Sequence, residues 1–396
     1  MNILKVYNFR VPRNILFGIG AAEKVGERVK ELGGSKVMVV TDKVLRKTGT
    51  VAEIEESLQK SGLNVVVYDE VTTEPTTEHV DKGSEIFRSQ GCDSVVSLGG
   101  GSCIDAGKVI AMLGTNPGRV TDYEGKGKVK KPKSPMIAIP TTAGTGSEVT
   151  WVAVIHDSTR DVKFLVYSPY LVPDECIEDP LLTVGMPKSV TMSSGMDALT
   201  HAIEGYISTR DANVGYGSSP IIEYLAIPAI ELIAVNLRKA WADGENIEAR
   251  SNMLLGQLLA GMTFGNSGTA LVHGLARPLG AHFHVAHGLA NAIMLPYGVE
   301  YTYIAAPEKF ARIARAMGEN TDNLGVMEAA EKTIAAVNRL CKDICVPKLK
   351  DLGIDREKYF NLIPTMAKDG MESGTPLVNP RKPTTEDMME IFKKAY

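Results

Sequence analysis

The sequence predicts two folds in series, an α/β domain built on a parallel sheet followed by an all-helical domain. Three observations carry this. The first half alternates short apolar runs with helical stretches, the second half keeps the helical period throughout, and 396 residues are too many for one ordinary core. The apolar runs are nearly continuous, which fits strands covered by helices on both faces. The change of grammar falls in LLTVGMPKSV (181–190), giving an α/β dinucleotide-binding domain over 1–187 and a helical domain over 188–396.

Each element has a local reason. KVMVVTD (36–42), LNVVVYDEV (63–71), CDSVVSLGGG (92–101) and PMIAIPTT (135–142) read as strands, apolar and mostly β-branched. Between them, AAEKVGERVKELG (21–33) and VAEIEESLQKSG (51–62) read as helices stopped by glycine. Beyond residue 187, SSGMDALTHAIEGYIS, IIEYLAIPAIELIAVNLRKAWADG, ENIEARSNMLLGQLLAGMTFGNSG and APEKFARIARAMG place apolar residues at helical spacing.

Composition narrows the function classes. Hydrophobic residues make up 44% and charged residues 23%, an ordinary globular balance. A net charge of −4 lacks the basic excess that nucleic-acid or anionic-membrane partners select. The cysteines (Cys92, Cys103, Cys176, Cys341, Cys345) are odd in number and scattered, which argues against a disulfide framework. MNILKVYNFRVP shows no basic-then-apolar leader, and no apolar run reaches about 18 residues. The expectation is a cytoplasmic protein without a membrane partner.

In the first half, SVVSLGGGSCIDAGKVIAML (94–113) runs a strand through three glycines into a helix. Ser102 is the expected N-cap, with Asp105 as its acidic partner. Bare backbone and a helix N-terminus suit a phosphate, although such a turn also occurs for purely structural reasons. IPTTAGTGSEVT (139–150) presents Thr141, Thr142, Thr145, Ser147 and Thr150 after another strand. Two such loops at carboxyl ends of parallel strands suit one ligand crevice. Asp42 closes a strand where a carboxylate would take ribose hydroxyls and repel a 2′-phosphate, favouring NAD; a turn or N-cap aspartate is the competing reading.

In the second half, Asp197 and His201 lie four apart in GMDALTHAIEGY and share a helix face, with Glu204 one turn on. Alone they read more readily as a surface ion pair. Four of the seven histidines sit in VHGLARPLGAHFHVAHG (272–288). His273 and His287 flank Arg-Pro-Leu-Gly, where a helix should break, so both can turn to one point. Three imidazoles and a carboxylate suit Fe(II) or Zn(II) with a position left for substrate.

GGGSCIDAGK, IPTTAGTGSEVT, GMDALTHAIEGY and VHGLARPLGAHFHVAHGLANAIMLP together closely resemble the iron-containing (group III) alcohol dehydrogenase family, and the resemblance runs the whole chain. It implies an NAD(P)-binding α/β domain, a helical domain in a dehydroquinate synthase-like architecture, a metal in the cleft between them, and homodimers or larger homo-oligomers. Its metal ligands match Asp197, His201, His273 and His287. Its cofactor contacts match Asp42, Gly101, Ser102, Thr141, Thr142, Thr150, Lys163 and Leu182; the loop argument extends these to Gly99, Gly100 and Asp105.

The sequence departs from the family pattern at three places. Cys103 stands for the proline of GGGSP, and Glu74 stands where many members have asparagine near the cofactor. Arg277 replaces a histidine close to the reacting groups. Arginine cannot shuttle protons at neutral pH, but it holds an anion in a two-toothed grip. His282 or His284 is the candidate to replace the missing histidine in a proton relay, beside the plainer reading of loop histidines. His79 and His156 read as surface or structural. The implied reaction is hydride transfer between a short-chain primary alcohol and NAD(H), with Arg277 either pointing to a carboxy-, sulfo- or phospho-aldehyde or pairing with a protein carboxylate or the cofactor pyrophosphate. A lyase or polyol-phosphate dehydrogenase of the same fold, and a non-catalytic nucleotide-binding scaffold, are the alternatives.

Overall fold

The computed structural model describes residues 6–72, 74–209 and 217–396, so residues 1–5 of the stretch read for a leader lie outside the described residues. The chain divides into two compact units: Arg10–Gly185, and Met186–Tyr396 together with the N-terminal stretch through Phe9.

The first unit is α/β. Its strands are β1 (Asn14–Phe17), β2 (Lys36–Val40), β3 (Asn64–Tyr68), β4 (Ser94–Gly99), β5 (Gly125–Lys126), β6 (Met136–Pro140), β7 (Val152–Asp157), β8 (Val162–Tyr167) and β9 (Glu175–Glu178). Its helices are α1 (Val25–Glu31), α2 (Lys43–Thr48), α3 (Thr50–Lys60), α4 (Thr77–Ser89) and α5 (Gly101–Leu113). Six strands pair in the order β1-β9-β6-β4-β2-β3, with every pairing parallel. Side-chain alternation sends Val37, Val39, Val96, Leu98, Ile137 and Ile139 to one face against α1 and α3. Met38, Val40, Val95, Met136 and Ala138 go to the other face against α4 and α5. Each fully buried side chain of this kind contributes about 1.5–3 kcal/mol, so both faces are bound to their helices.

A smaller sheet, β5-β8-β7, has no counterpart in the strands read from sequence. β7 and β8 form an antiparallel hairpin. Its turn is closed by Asp157, whose Oδ1 accepts from the Thr159 and Arg160 N–H groups at 3.0 and 3.3 Å. The hairpin alternates buried and open positions, so it lacks the continuous apolar run that marks the central strands.

The second unit is helical: α6 (Lys188–Ile207), α7 (Pro220–Ala242), α8 (Ile247–Ser267), α9 (Leu271–Phe283), α10 (His287–Thr302), α11 (Pro307–Ala316), α12 (Val326–Asp343), α13 (Arg356–Glu372) and α14 (Thr385–Ala395). α6 lies close to two neighbours because two positions lack a side chain. A Cβ on Gly195 would sit 2.4 Å from Leu237, and one on Gly205 would sit 2.5 Å from Thr263. α7 is long and apolar enough to cross a membrane by length and composition. Here it packs along α6 and α8, and its Glu223 pairs with Lys309 at 3.2 Å.

One expectation is corrected. The helix carrying His273 does not break at Arg-Pro-Leu-Gly; α9 runs through Pro278 to Phe283. The chain turns instead at His284, whose backbone is left-handed with φ 55°.

Candidate metal centre and cofactor cradle

Asp197 and His201 stand on one face of α6, His273 in the first turn of α9, and His287 at the first position of α10. One ligand atom from each lies within 4.8 Å of all the others. Asp197 Oδ1 is 3.8 Å from His201 Nε2, 4.0 Å from His273 Nε2 and 3.8 Å from His287 Nε2. Metal bonds of about 2.0–2.2 Å in a tetrahedral set give edges of about 3.4 Å, so these three edges are wider by roughly half an ångström. Three nitrogens and one carboxylate fit Fe(II) or Zn(II), as the sequence led us to expect.

The protonation states suit a cation. Burial drives the His273 imidazolium well below its ordinary range, with the neighbouring His201 and Arg277 charges adding to the effect. Half of the His287 side chain is open, yet its ring is hemmed in on the cage side; lost hydration pushes it down to about 3. Both present a neutral ring with a lone pair. Burial raises Asp197, and hydrogen bonding from Asn291 opposes that rise.

Two further residues orient the cage. Glu204, noted in the sequence only for its position, is 1% exposed and accepts from the Ala270 and Val272 N–H groups at 2.9 and 2.5 Å. It also lies 2.6 Å from His273 Nδ1. A proton on Nδ1 leaves the lone pair on Nε2, facing Asp197. Burial lifts the Glu204 carboxyl to about 7 despite those donors. Asn291 was not singled out; its signal was a polar residue four after His287 on a helix. Its Nδ2 donates to Asp197 Oδ1 at 2.7 Å and lies 3.2 Å from Nε2 of His273 and of His287.

Arg277 sits half-buried one turn after His273, close enough for its charge to be felt at His273 and His287. His284 is exposed and caps α9, and His282 Nε2 pairs with Asp369 at 2.8 Å. Neither belongs to the four-residue group.

In the α/β unit the expected cap is corrected. Gly100, not Ser102, is the N-cap of α5, and no side chain caps that helix. Gly100 is extended, with φ −75° and ψ −174°, so Ser102 already lies inside the first turn. The N-terminal N–H groups of an uncapped helix are an anion site. Gly99 has φ 148°, and a Cβ there would strike the Cys103 sulfur at 2.7 Å. A Cβ on Gly101 would press Thr145 at 3.0 Å, so the 141–150 loop lies directly on this turn. The Thr142 hydroxyl is buried there without a hydrogen-bond partner. An orphan hydroxyl beside an uncapped helix start fits a cofactor phosphate.

The other expected cofactor residues divide. Asp42 is an N-cap: its Oδ1 accepts from Val44 and Leu45 N–H at 2.8 and 2.9 Å. Its Oδ2 has the Cys103 thiol at 3.6 Å, a weak donor that ribose hydroxyls can displace. Thr141 is buried and its N–H donates to Gly99 O at 3.1 Å. Leu182 packs against the helix-covered face of the sheet. Lys163 pairs with Glu74 at 2.5 Å, so the substitution noted at Glu74 engages a lysine expected at the cofactor. Asp105 and Thr150 direct their polar atoms inward, to Ser147, Lys108 and Val154.

Comparison with known proteins shows the family. The family model described as iron-containing alcohol dehydrogenase matches residues 12–180, and its C-terminal counterpart matches 191–396. The chain is 44% identical to 1,3-propanediol dehydrogenase of Citrobacter freundii over 99% of both proteins. A solved 1,3-propanediol oxidoreductase superposes with a TM-score of 0.95 at 41% identity, over 99% of this chain and 100% of that one. Sulfoacetaldehyde reductase of Bifidobacterium kashiwanohense, solved with NAD+, gives 0.86 at 28% identity over 99% of each chain. With its parallel sheet, its helical half and its Asp/His cluster, the chain belongs to the iron-containing alcohol dehydrogenase family and is an NAD(H)-dependent oxidoreductase of small molecules.

Proposed function

We propose that the chain interconverts a short primary alcohol and its aldehyde, and that Arg277 directs it toward substrates bearing an anionic group. A bound divalent ion supplies Lewis acidity toward the alcohol oxygen, and the nicotinamide carries the hydride. Asp197, His201, His273 and His287 are the residues to hold that ion, iron first and zinc as the alternative. Glu204 keeps the His273 lone pair aimed inward. The start of α5 with Thr142 receives the cofactor phosphates, and Asp42 Oδ2 the ribose hydroxyls.

The observation that carries the anionic reading is a permanent positive charge one turn from a metal-ligand histidine. Its fork of N–H donors matches a carboxylate, sulfonate or phosphate. The sulfoacetaldehyde reductase is by its name a relative acting on such a substrate. The 1,3-propanediol dehydrogenase names a neutral diol at higher identity, which is the second reading.

Oxidation of NADH by iron-loaded protein with aldehydes of equal length, one neutral and one anionic, separates the two. Preference for the anionic member, lost in Arg277→Ala, supports the clamp; equal losses on both members refute it. The same reading takes the protein as a cytoplasmic homodimer or larger homo-oligomer, which light scattering on the eluting protein tests.

A further inference from the structure

Lys108 follows the glycine turn by two helical turns, where a lysine invites the reading of a phosphate ligand. Its side chain is wholly buried and turned the other way. The ammonium Nζ donates to Ser147 Oγ at 2.8 Å, Thr150 Oγ1 at 3.0 Å and the Val152 carbonyl at 2.7 Å. It also lies 3.4 Å from Asp105 Oδ1. Asp105 completes the attachment: Oδ1 accepts from Ser147 Oγ at 2.5 Å and Oδ2 from the Val154 N–H at 2.9 Å. Two side chains of α5 thus fasten the segment 147–154 at several points.

That segment continues the loop whose Thr142 and Thr145 lie over the start of α5. Thr145 is at the distance where a Cβ on Gly101 would touch it, and Thr142 is 3.5 Å from where one on Gly100 would stand. The loop has little regular structure of its own beyond one short 3-10 turn, Ser147–Val149. Its near end is held by β6, where the Thr141 N–H donates to Gly99 O at 3.1 Å, and its far end by the contacts with α5. A charged group carried this deep is costly to bury unless its acceptors are fixed, and here four oxygens meet it.

We propose that Lys108 is a positioning residue for the cofactor: it locks the 141–150 loop onto α5, so that the Thr142 hydroxyl and the N–H groups of the helix start converge on one phosphate. The inference rests on the reading that NAD(H) binds at this glycine turn. It gives Lys108 no contact with the cofactor. It assigns Asp105 and Thr150, expected from sequence to touch the cofactor, to the same lock.

The test compares Lys108→Met and Thr150→Val with the unsubstituted protein, all loaded with metal and held far below their unfolding temperatures. NADH affinity is read by fluorescence titration, metal content by elemental analysis, and turnover with propanal at saturating NADH. The expected result is a Kd for NADH raised about tenfold or more, since loosened preorganisation weakens binding, with kcat within about twofold and metal content unchanged. Thr150→Ser restores a hydroxyl and should restore the affinity. A lowered Tm with unchanged Kd in the folded variants would make the network merely structural and overturn the proposal. If Lys108→Met does not fold, Thr150→Val against Thr150→Ser carries the same decision. Gly100→Val separates the two levels: unchanged Kd there removes the glycine-turn reading itself, whereas a raised Kd there with normal Kd in the lock variants removes only the role of Lys108.

Discussion

The two candidate ligand sites in this chain are made of different material. In the helical unit the cage is side chains, four donor atoms projected from three helices and held by Glu204 and Asn291. In the α/β unit the cradle is mostly backbone, an uncapped helix start with hydroxyls laid beside it. A side-chain site fails when a residue type changes. A backbone site fails when its space or its support changes, whatever the polar residues nearby. The difference teaches where each site is fragile, and substitutions that respect it should uncouple the two.

The largest effect should come from His273→Ala. It removes a donor at the centre of the cage and leaves Glu204 buried without its imidazole. Metal content should fall well below one ion per chain and activity by about a thousandfold or more, the scale of lost Lewis-acid assistance. NADH binding should persist. Loss of both together would mean that the sites are not separable.

Gly100→Val is the matching change in the other unit. The Gly100 backbone is one that any residue adopts, and a Cβ there meets only ordinary contact with Thr142 at 3.5 Å. The branched side chain then fills the space before the helix start. NADH affinity should fall about a hundredfold, the loss of two charge-assisted hydrogen bonds, with metal content normal. Retained affinity would place the phosphates elsewhere.

Glu204→Gln is subtler, since the amide keeps the volume but donates where the carboxylate accepted. Metal affinity should drop by about 10- to 100-fold, as for other partners of ligand histidines. The same variant has a pH signature in the metal-stripped protein. His287 titrates near 3 when folded against 6.5 unfolded, so its contribution is full above 6.5 and is lost as pH falls toward 3. Glu204, lifted to about 7 from 4.5, acts oppositely: its contribution is full below 4.5 and is lost as pH rises through 7. The two offset each other between 6.5 and 4.5. Removing Glu204 should make stability decline from about 6.5 downward, where the unsubstituted protein declines only below about 4.5. Thermal denaturation across that range measures it; identical pH profiles would show that Glu204 does not titrate as its burial implies.

The same difference explains what the sequence made legible. Histidines are scarce in this chain, and an Asp–His pair four apart together with a local cluster of histidines announces a cage by residue type, so Asp197, His201, His273 and His287 were all named beforehand and the structure gathers them. Glycine and serine announce only a turn. Which of them caps α5 depends on a backbone dihedral, and Gly100 took the place expected of Ser102. Asp105 and Thr150 looked like ligand residues because their chemistry suits one; only packing shows that Lys108 and Ser147 already engage them. The parallel strands were legible from unbroken apolar runs, and the β7–β8 hairpin was not, because half of its residues face away from the core. Pro278 was read as a break and is instead carried inside α9, as Pro228, Pro296 and Pro364 are carried inside their own helices.

The smallest effect should come from Cys103→Ala, and it tests how far the cradle depends on any side chain beneath it. Cys103 is 2% exposed and its thiol reaches Asp42 Oδ2 at 3.6 Å. Burial and the neighbouring carboxylate both push that thiol well above its ordinary range, so it stays protonated and donates weakly. Asp42 is already fixed through Oδ1 by two backbone N–H groups of α2, so loss of the thiol should not turn the carboxylate. The sulfur's volume leaves a small void, costing about 1 kcal/mol or less of stability if the neighbours relax. NADH affinity should change by less than about twofold, because a weak donor is exchanged for the stronger ribose hydroxyls. A change of tenfold or more would show that the thiol, not the N-cap geometry, aims Asp42 at the ribose. The α/β site would then depend on a side chain as the metal cage does, and the contrast between the two sites would narrow to the phosphate end alone.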